Sequence, residues 1–268
     1  MSAARPRRRP SHESRHRPPA RAARAGGHAV SGAAYTTADL MACAIARLLR
    51  DGETVFFGLA SPLPMLGVLL ARQTHAPRLT ALNIPGGMGD AVARLPRSTV
   101  DAVLAEGSRY LFTLAEVFDL SARGRLDTAL LSGVQIDRQG RINMSVIGDP
   151  ARPRVALPGG AGAALLLPTA GRTILWRSKH DRRTFVERLD YVTAAGRTSH
   201  VVTPLCLFER RAGRLEVASI HPGVSVEALQ EATCWPVAAA PETPPPTPEE
   251  LATLARLDPD NVRAAELG

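Results

Sequence analysis

At 268 residues the chain is long enough for one large α/β domain that buries roughly 70 to 75% of the surface its unfolded form exposes. Its formal net charge of +8 is concentrated at the start: residues 1–34 hold eight Arg against one Glu, a net +7, and leave +1 to everything after them. That distribution argues against a basic nucleic-acid-binding body, and no run of 18 apolar residues offers a membrane span.

The stretch ARPRRRPSHESRHRPPARAARAGG has four prolines and hardly any apolar residue larger than alanine, so it cannot offset the entropy of ordering. Residues 1–34 are expected to be a disordered basic tail. A basic arm for nucleic acid and an Arg-rich targeting segment are the other readings, but no nucleic-acid motif follows. The body is expected over 35–240, with a Pro-rich linker and a terminal helix over 241–268. Cys43, Cys206 and Cys234 are odd in number and far apart, which gives no disulfide framework and no CxxC metal site, and fits a reducing cytoplasm. His75, His180, His200 and His221 show no metal-ligand spacing.

The first helix follows Thr37, its expected cap, through Leu40, Ala44, Ile45 and Leu48 at helical spacing, with Asp39 in the first turn. ETVFFGLA reads as a strand and SPLPMLGVLLARQ as a second helix opened by proline. Pro77 to Ile84 suggests a strand running into the glycine cluster PGGMG. Ser98 to Gly107 carries apolar residues at helical spacing, and the run from Phe112 to Gly133 reads as a helix and then a strand. This alternation predicts crossover units: an α/β fold with an open, largely parallel sheet flanked by helices. Ser132 to Val155 is the exception, because the turn from Asp137 to Gly140 between apolar runs predicts a hairpin insertion. AALLLPTA and TILWRS are buried segments, VVTPLCLFERRAGRLEVASIHPG ends in a pair of strands, ETPPPTP is a stiff linker, and the helix PEELATLARL must dock to persist.

Two glycine turns are candidates for chemistry. In Pro158 to Ala163 the residues Gly159, Gly160 and Gly162 let backbone N–H groups approach an anion or a developing oxyanion, although a tight turn needing positive φ explains the same letters. Gly86-Gly87-Met88-Gly89 does not complete a dinucleotide fingerprint, which weighs against a nucleotide-dependent oxidoreductase. Lys179, His180, Arg182 and Arg183 suit phosphates; the plainer reading is a solvated loop before a strand in which Phe185, Val186, Leu189 and Tyr191 pack inward.

SGVQIDRQGRINMSVIGDPARPRVALPGGAGA, RRTFVERLDYVT, SIHPGVSVEAL and the tail PETPPPTPEELATLARLDPD together resemble the β subunits of family I CoA-transferases, the glutaconate CoA-transferase group. The resemblance runs from about Thr37 onward. It implies that Gly159, Gly160 and Gly162 lie at a cleft near a CoA thioester, and that Gln135, Asp137, Gly140 and Asn143 follow the family pattern, with Arg141 where an Asn is usual. Asp137 is also explained as an acid that bonds its own turn. The family's nucleophilic acid, which stands before a small residue and glycine, falls on Ile84, which has no carboxylate. Asn83 and Gly86 then line the β side of a shared cleft, while the steroid ring-opening branch of the family implies a glutamate on a separately encoded α subunit. The resemblance thus implies an acyl-CoA substrate, no permanently bound cofactor or metal, and a heterotetramer or larger assembly. A catalytically silent subunit is the non-enzymatic alternative.

Overall fold

The computed structural model describes residues 34–59, 61–88, 94–96 and 98–267. The basic segment 1–33 and Gly89 lie outside them.

Helix α1 (Thr37–Leu48) is capped by Thr36, one residue before the expected Thr37. The Asp39 amide donates to the Thr36 hydroxyl and the Thr36 amide to the Asp39 carboxylate, satisfying two helix-end donors. Strand β1 (Thr54–Phe57), helix α2 (Pro62–Gln73) and strand β2 (Thr80–Leu82) follow as expected. The helix expected across 98–107 shrinks to a single 3-10 turn at Ala102–Ala105, because Leu104 is the one apolar side chain of that segment buried in the core. Helix α3 (Leu114–Ala122) and strand β3 (Thr128–Leu131) come next. Strands β4 (Gln135–Ile136) and β5 (Ile142–Asn143) form the hairpin, and β6 (Val146–Ile147) pairs with β7 (Val155–Ala156) beside it.

Helix α4 (Ala163–Thr169) leads into β8 (Arg172–Trp176), β9 (Thr198–Val202), β10 (Cys206–Arg211) and β11 (Arg214–Ile220). Helices α5 (Val226–Ala232) and α6 (Pro248–Leu257) follow. The seven-stranded sheet has the order β11-β10-β9-β8-β3-β1-β2. Its β2, β1, β3, β8 and β9 are parallel, and β10 and β11 close one edge antiparallel.

One face of the sheet packs against α1, α2 and α6, through residues such as Ile45, Leu66, Leu70 and Leu254. Arg47 holds α6 by an ion pair to Glu250, and Arg263 binds both Asp39 and Asp258, so the terminal helix docks on the body. The other face packs against α3, α4 and the hairpin. No strand forms at Phe185 to Tyr191: Phe185 makes one isolated bridge to Ile136 and is buried with Leu189, while Tyr191 is turned to solvent at 46% exposure. Phe185 instead stacks under the His180 ring at 4.0 Å, beside Phe208 and Trp235. Among the described residues no helix is long and apolar enough to cross a membrane.

Candidate active site

The chain leaves β1 through α2 to β2 on one side and returns through β3 on the other. This reversal opens a crevice beyond the carboxyl ends of β1 and β3, the place where open α/β sheets take ligands. A pocket of about 260 Å³ occupies it. Phe56, Gly58 and Leu59 come from the end of β1, Leu131 and Ser132 from the end of β3, and Ile84 from the turn after β2. Leu114 and Phe118 of α3, Met144 of the hairpin and the loop from Gly160 to Ala163 complete much of the wall.

Three of the predicted positions, Ile84, Gly160 and Gly162, therefore meet at one pocket. The others stand behind it. Asn83 is fully buried: its side-chain amide donates to Leu104 O at 2.9 Å, and its oxygen accepts from the Gly87 amide at 2.8 Å. It clamps the turn that presents Ile84. Gly86 has a φ of +96°, and a Cβ there would collide with the Phe112 carbonyl. Asn83 and Gly86 are thus bound up in backbone support rather than facing the pocket.

Gln135 is held in a second buried network. Its oxygen accepts from Asn143 Nδ2 at 2.7 Å and from the Asp190 amide at 3.1 Å, and its nitrogen donates to the Asp190 carboxylate at 3.1 Å. Thr193 extends this network by accepting from the Met144 amide at 2.8 Å. The glycine loop hangs from it, because the Gly159 amide donates to Met144 O at 2.8 Å. Asp137 bonds its own turn, accepting from the amides of Gln139 and Arg141, and Arg141 adds an ion pair at 2.6 Å. That pairing gives Arg141 a part in holding the turn.

The loop itself has unusual backbone. Ala161 has a φ of +43° and Gly159 of +89°, while Gly162 is right-handed helical. Such alternation is the geometry of backbone concavities that hold anions. Among the described residues the amides of Gly160, Ala161 and Gly162 find no acceptor, whereas that of Ala163 returns to Gly160 O at 2.8 Å. The hydroxyls of Ser61 and Ser132 donate to Leu59 O and Trp176 O. None of the described lining residues has a side chain that titrates.

Of Lys179, His180, Arg182 and Arg183, for which a solvated loop is the plainer reading, His180 is committed inward, bonded to the hydroxyls of Thr203 and Thr233 at 2.9 and 3.0 Å. Burial presses it down to about 3, and His221 to about 4. Lys179, Arg182 and Arg183 remain at the surface. Sequence reasoning missed the walls from Phe118, Leu131, Ser132 and Met144, and the braces Asp190 and Thr193. A signal for the braces was present in RRTFVERLDYVT, which contains both Asp190 and Thr193.

Comparison with known proteins places the fold. The family model for coenzyme A transferase matches residues 38–232. The chain is 35% identical to the B chain of 3-oxoadipate CoA-transferase from Pseudomonas knackmussii, over 84% of this chain and 94% of that one. It is 29% identical to the IpdB subunit of the cholesterol ring-cleaving hydrolase of Rhodococcus jostii, over 87% and 96%. Among solved structures, the decarboxylase AibA/AibB superposes with a TM-score of 0.81 at 31% identity, over 87% of this chain and 99% of that one. The chain belongs to the coenzyme A transferase family and is of its B type.

Proposed function

We propose that this chain is one half of a heteromeric enzyme acting on an acyl-CoA thioester, and that the reaction is a hydrolytic ring opening of a CoA-linked steroid fragment. The catalytic glutamate then belongs to an A-type partner. The observation that carries this reading is Ile84, an alkyl side chain lining the pocket, where the sequence resemblance puts the family's nucleophilic acid. CoA transfer through a thioester on this chain needs a carboxylate there.

Ring opening beside a thioester needs something different. Water adds to a ring carbonyl, a C–C bond breaks, and its electron pair moves onto the thioester carbonyl until a proton arrives. Free backbone donors at Gly160, Ala161 and Gly162 suit that developing oxyanion, since fixed donors in a water-poor pocket need no reorganisation. The partner reading draws on exposed apolar side chains: the pocket residue Leu59 is 67% exposed, and Leu111, in the segment leading to α3, is 70% exposed, which suits docking.

Decarboxylation is the second reading, favoured by the likeness to AibA/AibB. Loss of CO2 leaves its electron pair on the same thioester carbonyl and equally requires no nucleophile from this chain. The test is co-expression with an A-type subunit of the same family, followed by incubation with acyl-CoA in H2(18)O. Label in a new carboxylate supports hydrolysis, and released CO2 supports the decarboxylase. A thioester trapped by borohydride on a carboxylate of this chain overturns both.

A further inference from the structure

Arg177 follows β8 directly, and its amide donates to Val202 O at 3.0 Å. The preceding carbonyl, Trp176 O, accepts from the pocket residue Ser132 at 2.9 Å, so the Trp176–Arg177 peptide backs onto the pocket wall. Strand register points the same way. Leu131 lies opposite Leu175, both belong to the pocket-side core, and alternation turns Arg177 to the face of Leu175.

Its side chain is half-buried, with Nε enclosed and unpartnered. Among the described residues the guanidinium makes no hydrogen bond or ion pair. The neighbouring acid, Asp181, has one oxygen accepting from the amides of Arg183 and Thr184 at 3.0 and 2.9 Å. Arg47, Arg172 and Arg263 are similarly enclosed and each has its carboxylate; Arg138 shares an enclosed, unpartnered Nε but lies in the hairpin turn, away from the pocket-side end of β8. A partly desolvated guanidinium with no hydrogen-bonded carboxylate is costly: burial lowers its proton affinity, and the nearby Asp181 charge only partly opposes this.

Resting on the reading of this chain as an acyl-CoA-binding subunit, we propose that Arg177 is an anion site that binds a carboxylate on the acyl group of the substrate, at the end of the sheet beside the pocket. One half-buried guanidinium neutralises one negative charge, which matches a carboxylate. A phosphate dianion needs more, and the exposed Lys179, Arg182 and Arg183 are better placed for that in solvent.

The test uses the assembled two-subunit enzyme and calorimetric binding of matched thioesters: succinyl-, glutaryl- and adipyl-CoA against butyryl-, valeryl- and hexanoyl-CoA. The wild-type complex is expected to favour at least one acid over its methyl-ended partner by about 10- to 100-fold, and Arg177→Met to erase that preference while Arg177→Lys keeps part of it. Because the change removes a half-buried charge that has no hydrogen-bonded partner, Arg177→Met is expected to melt no lower than wild type. A preference that survives Arg177→Met, or no preference in the wild type, overturns the proposal and leaves the acyl-CoA reading standing. Equal weakening of free CoA assigns the residue to a phosphate and overturns it as well. Lost affinity for the A-type partner with the preference intact assigns Arg177 to a partner's carboxylate and likewise overturns the proposal. If no thioester binds at all, the acyl-CoA reading itself fails.

Discussion

Thr193 Cγ2 stands where a side chain on Gly160 would begin: a Cβ at Gly160 falls 2.7 Å from it. The same threonine holds Met144, and Met144 holds Gly159, so the loop and the hairpin share one narrow joint. Gly160→Ala must displace the loop or the Thr193 side chain. Its expected effect on the assembled enzyme is a fall in kcat of tenfold or more with a modest drop in Tm. Gly124→Ala is the control, since its φ of +70° costs about 1 kcal/mol while a Cβ there meets nothing. That variant should lose stability alone. Equal kcat in Gly160→Ala and wild type would separate the loop from catalysis.

Gln135 satisfies three groups at once: Asn143 Nδ2, the Asp190 amide and the Asp190 carboxylate. Gln135→Ala removes one partner from each, while Asn143 Nδ2 keeps the Val146 carbonyl and the Asp190 carboxylate keeps the Gly148 amide, so the cost is about 1 to 2 kcal/mol. Gln135→Glu keeps the shape but sets a second carboxylate against Asp190, and is expected to destabilise more at pH 8 than at pH 5. Denaturant titration at the two pH values reads the difference.

Local chemistry made much of this molecule legible. Asp137 and Gly140 announce their hairpin because an Asx-type turn is bonded within five residues, and α1 is visible because its cap and apolar stripe lie in one short segment. The segment 98–107 misleads for the converse reason. Its spacing is helical, but Val100 and Val103 stay exposed, and a helix without a core to cover is not held. The glycine loop and Ile84 were recognisable as special, yet their meeting depends on β2, β3 and the hairpin converging at the switch point. Asp190 and Thr193 lie about fifty residues from the groups they brace, and no periodicity encodes such a pairing.

His180 and His221 set a pH limit on the fold. Burial depresses both, to about 3 and about 4, with Asp181 opposing the shift at His180 and the Thr203 carbonyl opposing it at His221. The unfolded chain binds protons near pH 6.5, so it gains protons before the folded one does, and stability falls as pH drops. The contribution is complete above about pH 6.5 and is lost towards pH 3 to 4. At pH 5 each histidine costs roughly 2 kcal/mol relative to pH 7. His221→Gln is expected to flatten the Tm profile between pH 7 and pH 5, although it loses stability at pH 7 through the bonds to Thr243 and the Thr203 carbonyl. A variant profile parallel to wild type would remove His221 as a cause.

Ile84→Glu restores the missing acid in name, and the expected outcome is still no transferase. The new carboxyl enters a pocket whose described lining offers no cation, and desolvation raises its pKa, leaving it protonated and poorly nucleophilic at neutral pH. Pro85 also restricts the backbone of the residue before it, so the new side chain cannot readily swing to a better-solvated position. Borohydride reduction of the variant complex after exposure to acyl-CoA, followed by peptide mass mapping, is expected to find the substituted side chain unmodified and an unchanged dependence on the A-type partner. A reduced adduct at that position together with CoA exchange would show that the pocket retains every other requirement of a transferase, and that Ile84 alone had silenced it.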